Sequence, residues 1–317
     1  MELIHTYQIS LEEIKTERID FVIAASGFHS RCIYLSENID LTNTKKYLIT
    51  FNDNNYVKLR KENESVFIRL GFLPFLEDVK SGKEIEKLLD ELCRNNTSEI
   101  LNIIVDYSCM PKKWIATILD FISRNELPEQ RVNIFFAYTP KKFLPNLKKI
   151  VEYIGPIMEP KDLIKNNSNL TLIAGLDNNY ESIIKLTKDI NPQKIFAFVP
   201  DPAFDEAYSK SVYKKNKPLL KKIGDENIIK YPANNQEEIN SILTSLCLEL
   251  RLNSRVIIVP LGPKTFALTS ILLSLRYPDI KLWDITSRIY NYNPKAGKVS
   301  GQPVILKAAF CNDNEDE

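Results

Sequence analysis

Residues 254–275 read S-R-V-I-I-V-P-L-G-P-K-T-F-A-L-T-S-I-L-L-S-L. Val256, Ile257, Ile258 and Val259 form an unbroken β-branched run, the pattern of a strand buried on both faces of a parallel sheet. Pro260 ends the strand, because proline has no N–H for the ladder. Leu261, Gly262, Pro263, Lys264 and Thr265 make a turn, and the apolar run to Leu275 is long enough for a helix. An open α/β sheet takes ligands at the carboxyl ends of its strands. A helix start offers unpaired backbone N–H groups to anions. Gly262, Lys264 and Thr265 are therefore a candidate phosphate-binding corner. A lone glycine is less than a P-loop, and such a corner can also do nothing but turn the chain.

The same grammar extends in both directions. Buried-strand patterns fall at residues 20–25, 45–51, 66–70, 100–105 and 131–137. A second set falls at 169–174, 194–199, 227–231 and 279–285, around the opening stretch. Helical patterns lie between them. One at 81–94 carries Ile85, Leu88, Leu89 and Leu92 on one stripe, with Ser81 and Glu84 as a capping box. Strands alternating with helices predict parallel sheets covered on both faces. Residues 1–18 suggest a first strand and turn. Residues 140–168, rich in proline, lysine and asparagine, suggest a linker with a short helix near 147–153. The expected organisation is a lobe at 1–140, a linker at 141–168, a lobe at 169–311 and an acidic tail at 312–317.

The halves also correspond. Ala25, Ser26 and Gly27 match Ala174 and Gly175; Val105 to Lys112 matches Val259 to Lys264. Each of the latter pair is a strand and a turn, then Pro-Lys opening a helix, with Trp114 or Phe266 two residues after the lysine. The fold class is α/β: two Rossmann-like lobes with mainly parallel sheets and approximate internal duplication. Loop edges of two such sheets facing each other would form a cleft.

Composition narrows the function. The chain has 317 residues, 26% of them charged, and a formal charge of +1, which disfavours a broad nucleic-acid footprint without excluding one. The basic cluster Lys210, Lys214, Lys215, Lys217, Lys221 and Lys222 reads by default as a solvated helix face. No apolar run approaches a membrane span, and the N-terminus lacks a secretory pattern. Five scattered cysteines with no C-x-x-C argue against zinc or a disulfide framework, so a cytoplasmic protein is expected. No metal and no cofactor are expected.

Candidate chemistry gathers at the strand-to-helix turns. Ser26, Gly27, His29 and Arg31 occupy one, where a guanidinium suits phosphate and His29 is a possible base. Asp106, Ser108 and Lys112 occupy another; Asp106 suits a base or a ribose acceptor, while Ser108 could equally cap the helix. Asp201, held between Pro200 and Pro202, ends a strand; with Asp205 it could bind Mg²⁺, but such pairs more often start a helix. Tyr290, Asn291, Tyr292 and Asn293 offer stacking surface for a base or a subunit contact.

The turn Gly262, Pro263, Lys264 and Thr265, with a degenerate partner at Ser108 to Lys112, resembles the signature corner of CARF domains. These are Rossmann-like sensors of cyclic oligonucleotides, and two such lobes in one chain resemble the related SAVED arrangement. The resemblance implies a nucleotide second-messenger sensor in bacterial antiviral defence. It also implies a separate effector protein, because no effector module is recognisable in the chain.

The expected function is binding of a nucleotide or other phosphorylated ligand in the inter-lobe cleft, as a sensor or regulatory subunit. Ser26, Gly27, Arg31, Ser108, Lys112, Gly262, Lys264 and Thr265 would line the phosphate, and Asp201 or Asp106 would accept from ribose. Two alternatives stand beside it. One is a hydrolase or transferase on a nucleotide or sugar phosphate, with Asp106 or His29 as base. The other is an adaptor with a vestigial cleft.

Overall fold

A computed structural model describes residues 1–52, 57–96, 98–128, 131–143, 149–158, 169–289 and 298–312. The chain begins with β1 (Glu2–Ile9), a short α1 (Leu11–Ile14) and β2 (Phe21–Ala25). A 3-10 turn (Ser30–Ile33) runs into α2 (Tyr34–Asn38), followed by β3 (Lys45–Phe51) and α3 (Val57–Arg69). Next come β4 (Leu73–Glu77), α4 (Lys83–Arg94), β5 (Ile100–Asp106), α5 (Lys112–Arg124) and β6 (Arg131–Tyr138). The chain continues through β7 (Lys149–Pro156), β8 (Leu170–Gly175), α6 (Tyr180–Ile190), β9 (Lys194–Pro200) and α7 (Glu206–Ile223). It ends with β10 (Ile228–Tyr231), α8 (Gln236–Leu250), β11 (Arg255–Pro260), α9 (Lys264–Arg276), β12 (Lys281–Ile289) and β13 (Val304–Cys311).

The strands form two mixed, mostly parallel sheets, ordered β1-β13-β6-β5-β2-β3-β4 and β10-β9-β8-β11-β12-β7. Counting the parallel strands of each from β2 and from β8, both run 3-2-1-4-5, with helices at the same places between them. This is the doubly wound order, and its direction reverses between the first and fourth strands. The switch point lies between β2 and β5 in one sheet and between β8 and β11 in the other. The two halves are thus Rossmann-like and duplicate one another in topology.

The units are not contiguous in sequence. One comprises Met1–Lys142 with Pro294–Glu317, the other Phe143–Asn293. This corrects the expected lobes at 1–140 and 169–311. In each sheet the fifth parallel strand is flanked by an antiparallel sixth: β13 beside β6, and β7 beside β12. The chain leaving β6 supplies the sixth strand of the second sheet. The chain leaving β12 supplies the sixth strand of the first. β13, inside the expected second lobe at 169–311, therefore belongs to the first sheet, and part of the expected linker is β7 rather than a helix near 147–153. No local pattern reports this, because the partner of a strand is chosen by the tertiary fold.

Two further expectations change. Residues 66–70, read as a strand, are the last turns of α3 and the residue after it; Arg60 and Phe67, two helical turns apart, are both buried. The strand is β4, an edge strand whose Leu73 and Leu76 are exposed. The start of α4 is capped from a distance: Glu77 Oε2 accepts the N–H groups of Glu84 at 2.9 Å and Ile85 at 3.1 Å. Ser81 only receives Lys83 N–H at 3.2 Å, so the capping box does not form. The stripe of Ile85, Leu89 and Leu92 is buried as its spacing predicts, with Leu88 at its margin.

Each unit has its own apolar core. Val22, Ala24, Leu48, Ile104 and Phe135 lie in one, and Leu172, Ala174, Ala197, Ile257 and Val259 in the other. Among the described residues no helix is long and apolar enough to cross a membrane.

Candidate functional site

The first unit gathers its polar residues at the carboxyl ends of β2, β5 and β6. β2 is buried along its whole length and runs parallel between β3 and β5. Its end carries the chain into the Ser26–Gly27 turn. A Cβ on Gly27 would sit 2.4 Å from Cys109 Sγ, so glycine is what lets the β2 and β5 turns close on each other. Ser26 is fully buried and its hydroxyl donates to Glu64 Oε1 at 2.8 Å. Asn63 Nδ2 donates to Gly27 O at 2.7 Å and His29 O at 3.2 Å, tying α3 to the same turn.

Arg31 is the centre of this arrangement. It is 4% exposed, and its guanidinium stacks over Tyr138 at 5.1 Å. Nη1 donates to Thr139 O and Nη2 to Ser108 O, both at 2.7 Å. Burial opposes its charge, but Tyr138, Cys109 and Asp106 more than offset it and hold the guanidinium above its ordinary value. The residue type of Arg31 and its place at a strand-to-helix turn predict a phosphate ligand. Both terminal nitrogens instead hold main-chain carbonyls of two neighbouring turns, and the group is inside the protein. Arg31 is a tie between the ends of β5 and β6.

Asp106 ends β5 and is 2% exposed. Its Oδ1 accepts Ser108 N–H at 3.0 Å, and Ser108 Oγ in turn accepts Thr139 N–H at 2.8 Å. Ser108 is thus structural; its hydroxyl is no cap for α5, whose first turn has no side-chain cap. Burial pushes the Asp106 carboxyl up to about 7, despite the opposing hydrogen bonds from Ser108. Asp106 Oδ2, Arg31 Nε and Thr139 Oγ1 have no hydrogen-bond partner. A carboxyl near neutrality can accept or release a proton at physiological pH. Cys32 is packed against Cys109, and that contact together with burial holds its thiol well above the usual range.

His29 precedes the 3-10 turn and is 8% exposed, its ring 4.3 Å from Phe28. Lys112 is half-buried as the first residue of α5, after Pro111.

The second unit repeats this corner with different residues. Gly175 ends β8, and a Cβ there would meet Leu261 O at 2.6 Å. Gly262 has φ +87°, and a Cβ there would meet Leu176 O at 2.7 Å. Two glycines therefore let the two switch-point turns touch through their backbones. Lys264 is half-buried as the first residue of α9, after Pro263, and α9 likewise lacks a side-chain cap. Thr265 is fully buried and donates to Ala233 O at 2.8 Å, which corrects its expected role as a phosphate ligand. Asp201 lies at the β9–β10 side of the sheet, away from the switch point, where it pairs with Lys230 at 3.0 Å. Asp205 caps α7, accepting Ala207 N–H at 2.9 Å, so it starts a helix.

The structure therefore brings Ser26, Gly27, His29, Arg31, Asp106, Ser108 and Lys112 to one edge of the first sheet. Gly262, Lys264 and Thr265 lie at the equivalent edge of the second. The sequence reading missed Tyr138, Thr139 and Glu64. Thr139-Pro140 was legible as a strand end, but not as the partner of two turns distant in sequence. The 290–293 loop, the turn at 53–55, the linker at 144–148 and 159–168 and the tail from 313 lie outside the described residues. Among the described residues no group of three or more His, Cys, Asp or Glu is placed to hold a metal ion.

No protein-family model matches the chain. Its sequence is similar to that of Protein MGF 505-7R of African swine fever virus (isolate Warthog/Namibia/Wart80/1980). The two are 25% identical over 188 residues, which cover 57% of this chain and 34% of the viral protein. The chain thus spans about a third of the length of that relative.

Proposed function

We propose that the protein binds a nucleotide or other phosphorylated ligand, as a cytoplasmic sensor or regulatory subunit acting on a separate protein. One observation carries this reading. At the same topological position in both units, a proline precedes an uncapped helix whose first residue is a half-buried lysine, Lys112 or Lys264. The helix dipole and the N–H groups of that first turn favour an anion, and the lysine adds a cation. The resemblance to CARF and SAVED proteins supports a nucleotide as the ligand and bacterial antiviral defence as the setting. Arg31, Ser108 and Thr265 then shape the corners from within rather than touching the ligand.

Calorimetric titration with a panel of mononucleotides and cyclic oligonucleotides tests this. One member of the panel binds, and Lys264→Ala or Lys112→Ala weakens it about tenfold or more. Unchanged affinity in both variants removes the site.

A second reading is favoured by Asp106. A buried carboxyl near neutrality with one unpartnered oxygen suits a general base in a hydrolase or transferase. Product formation from a bound nucleotide, abolished by Asp106→Asn with binding retained, distinguishes an enzyme from a sensor.

A further inference from the structure

The charge of the second unit is segregated between the two faces of its sheet. The crossovers β8-α6-β9 and β9-α7-β10 step in one direction along the sheet. The crossovers through α8 and α9 step back the other way. Right-handed connection places α6 and α7 on one face, α8 and α9 on the other, and each pair packs together. α6 and α7 carry eight lysines against three acidic residues. α8 and α9 carry two basic residues against three acidic. Within the second unit the α6–α7 helices are thus clearly net positive, while the α8–α9 helices are close to neutral.

All eight lysines are exposed. Lys210, Lys214, Lys217 and Lys221 follow one another at i, i+4, i+7 and i+11, a single face of α7. That row is about 16 Å long at 1.5 Å per residue. Lys215 and Lys222 flank it, and Lys185 and Lys188 lie on α6 beside it. The opposite side of α7 is buried through Val212, Asn216, Leu219 and Leu220, so the row faces away from the core, with Pro218 inside the helix between Lys217 and Lys221. Only Lys210 is engaged by an acid of its own helix, Glu206, at 2.6 Å between exposed side chains. Such a pair is weak in water.

We infer that the α6–α7 layer docks the phosphate backbone of a nucleic-acid duplex. Lysines act as point charges that match phosphates without reading bases. The aromatic side chains of this layer, Tyr180, Tyr208 and Tyr213, are half-buried and packed against the core, and stacking on freely presented aromatic side chains is what a single strand would require. The row therefore suits a duplex, bound without sequence preference. This inference is independent of the phosphate corners at Lys112 and Lys264.

Fluorescence anisotropy of a labelled DNA duplex of about 20 base pairs, titrated with the full chain, tests it. Four phosphate contacts give a slope of about −3.6 in log affinity against log salt, a loss of roughly 150-fold between 50 and 200 mM. Changing Lys210, Lys214, Lys217 and Lys221 together to glutamine removes most of that slope, while the same four changed to arginine keep it. Should the fourfold glutamine variant not fold by circular dichroism, Lys214→Gln with Lys217→Gln is read instead, and about half the slope goes. Absence of duplex binding by the native chain overturns the inference. So does a salt slope that the glutamine variants leave unchanged, or equal binding of a poly-glutamate peptide or an anionic lipid vesicle.

Discussion

Replacing Asp106 with asparagine keeps the side chain's shape and leaves an oxygen to accept Ser108 N–H, but removes the ionisable proton. The folded chain holds that proton up to about pH 7, against 3.8 for an ordinary aspartate, because burial penalises the charge. The folded state thus binds the proton more tightly than the unfolded state. Asp106's contribution to stability is fully present below about 3.8 and is lost as pH rises through about 7. The difference of about 3 pH units, at 1.36 kcal/mol each, is about 4 kcal/mol. Asp106→Asn is therefore nearly neutral at about pH 4 and stabilises the first unit by up to about 4 kcal/mol at about pH 8. Urea unfolding followed by tryptophan fluorescence measures this. Trp114 is fully buried in the same unit, and a Trp283→Phe background removes the signal of the other. If native and Asp106→Asn chains lose stability in parallel between about pH 5 and 8, the burial argument is wrong.

Three other perturbations follow from the corners. Arg31→Ala removes two charge-assisted bonds to Thr139 O and Ser108 O and lowers unfolding stability by about 3 kcal/mol or more; an unchanged urea midpoint rules out the tie. Gly27→Ala drives a Cβ into Cys109 and costs about 1–3 kcal/mol. Adding Cys109→Gly removes both clashing atoms, so the double variant recovers part of the loss; strict additivity of the two costs contradicts the contact. Gly262→Ala meets both a left-handed backbone and Leu176 O, and lowers the thermal midpoint of the second unit by several degrees, about 2 kcal/mol; calorimetry showing no change excludes the turn-to-turn approach.

The alternating grammar of strands and helices was legible because each element carries its own period. The β-branched run at Val256 to Val259 is buried on both sides, as such runs are in parallel sheets. The correspondence of Pro111-Lys112 with Pro263-Lys264 also survived, since both begin the fourth helix of a repeated order. Residues 66–70 misled because a short apolar run fits a strand or a helix equally well.

The amino-acid order by itself determined the class of the fold, the two-fold repetition and the turns where chemistry could sit, since these follow from local periodicity and from proline and glycine. Only the tertiary structure decided that β7 and β13 belong to sheets distant in sequence, because edge pairing depends on which strand lies alongside in space. It also decided that Arg31 and Thr265 face inward to main-chain carbonyls while Lys112 and Lys264 stay half-exposed. A side chain's chemistry is written in its residue type, but its partner is whatever the packed chain places within hydrogen-bond reach.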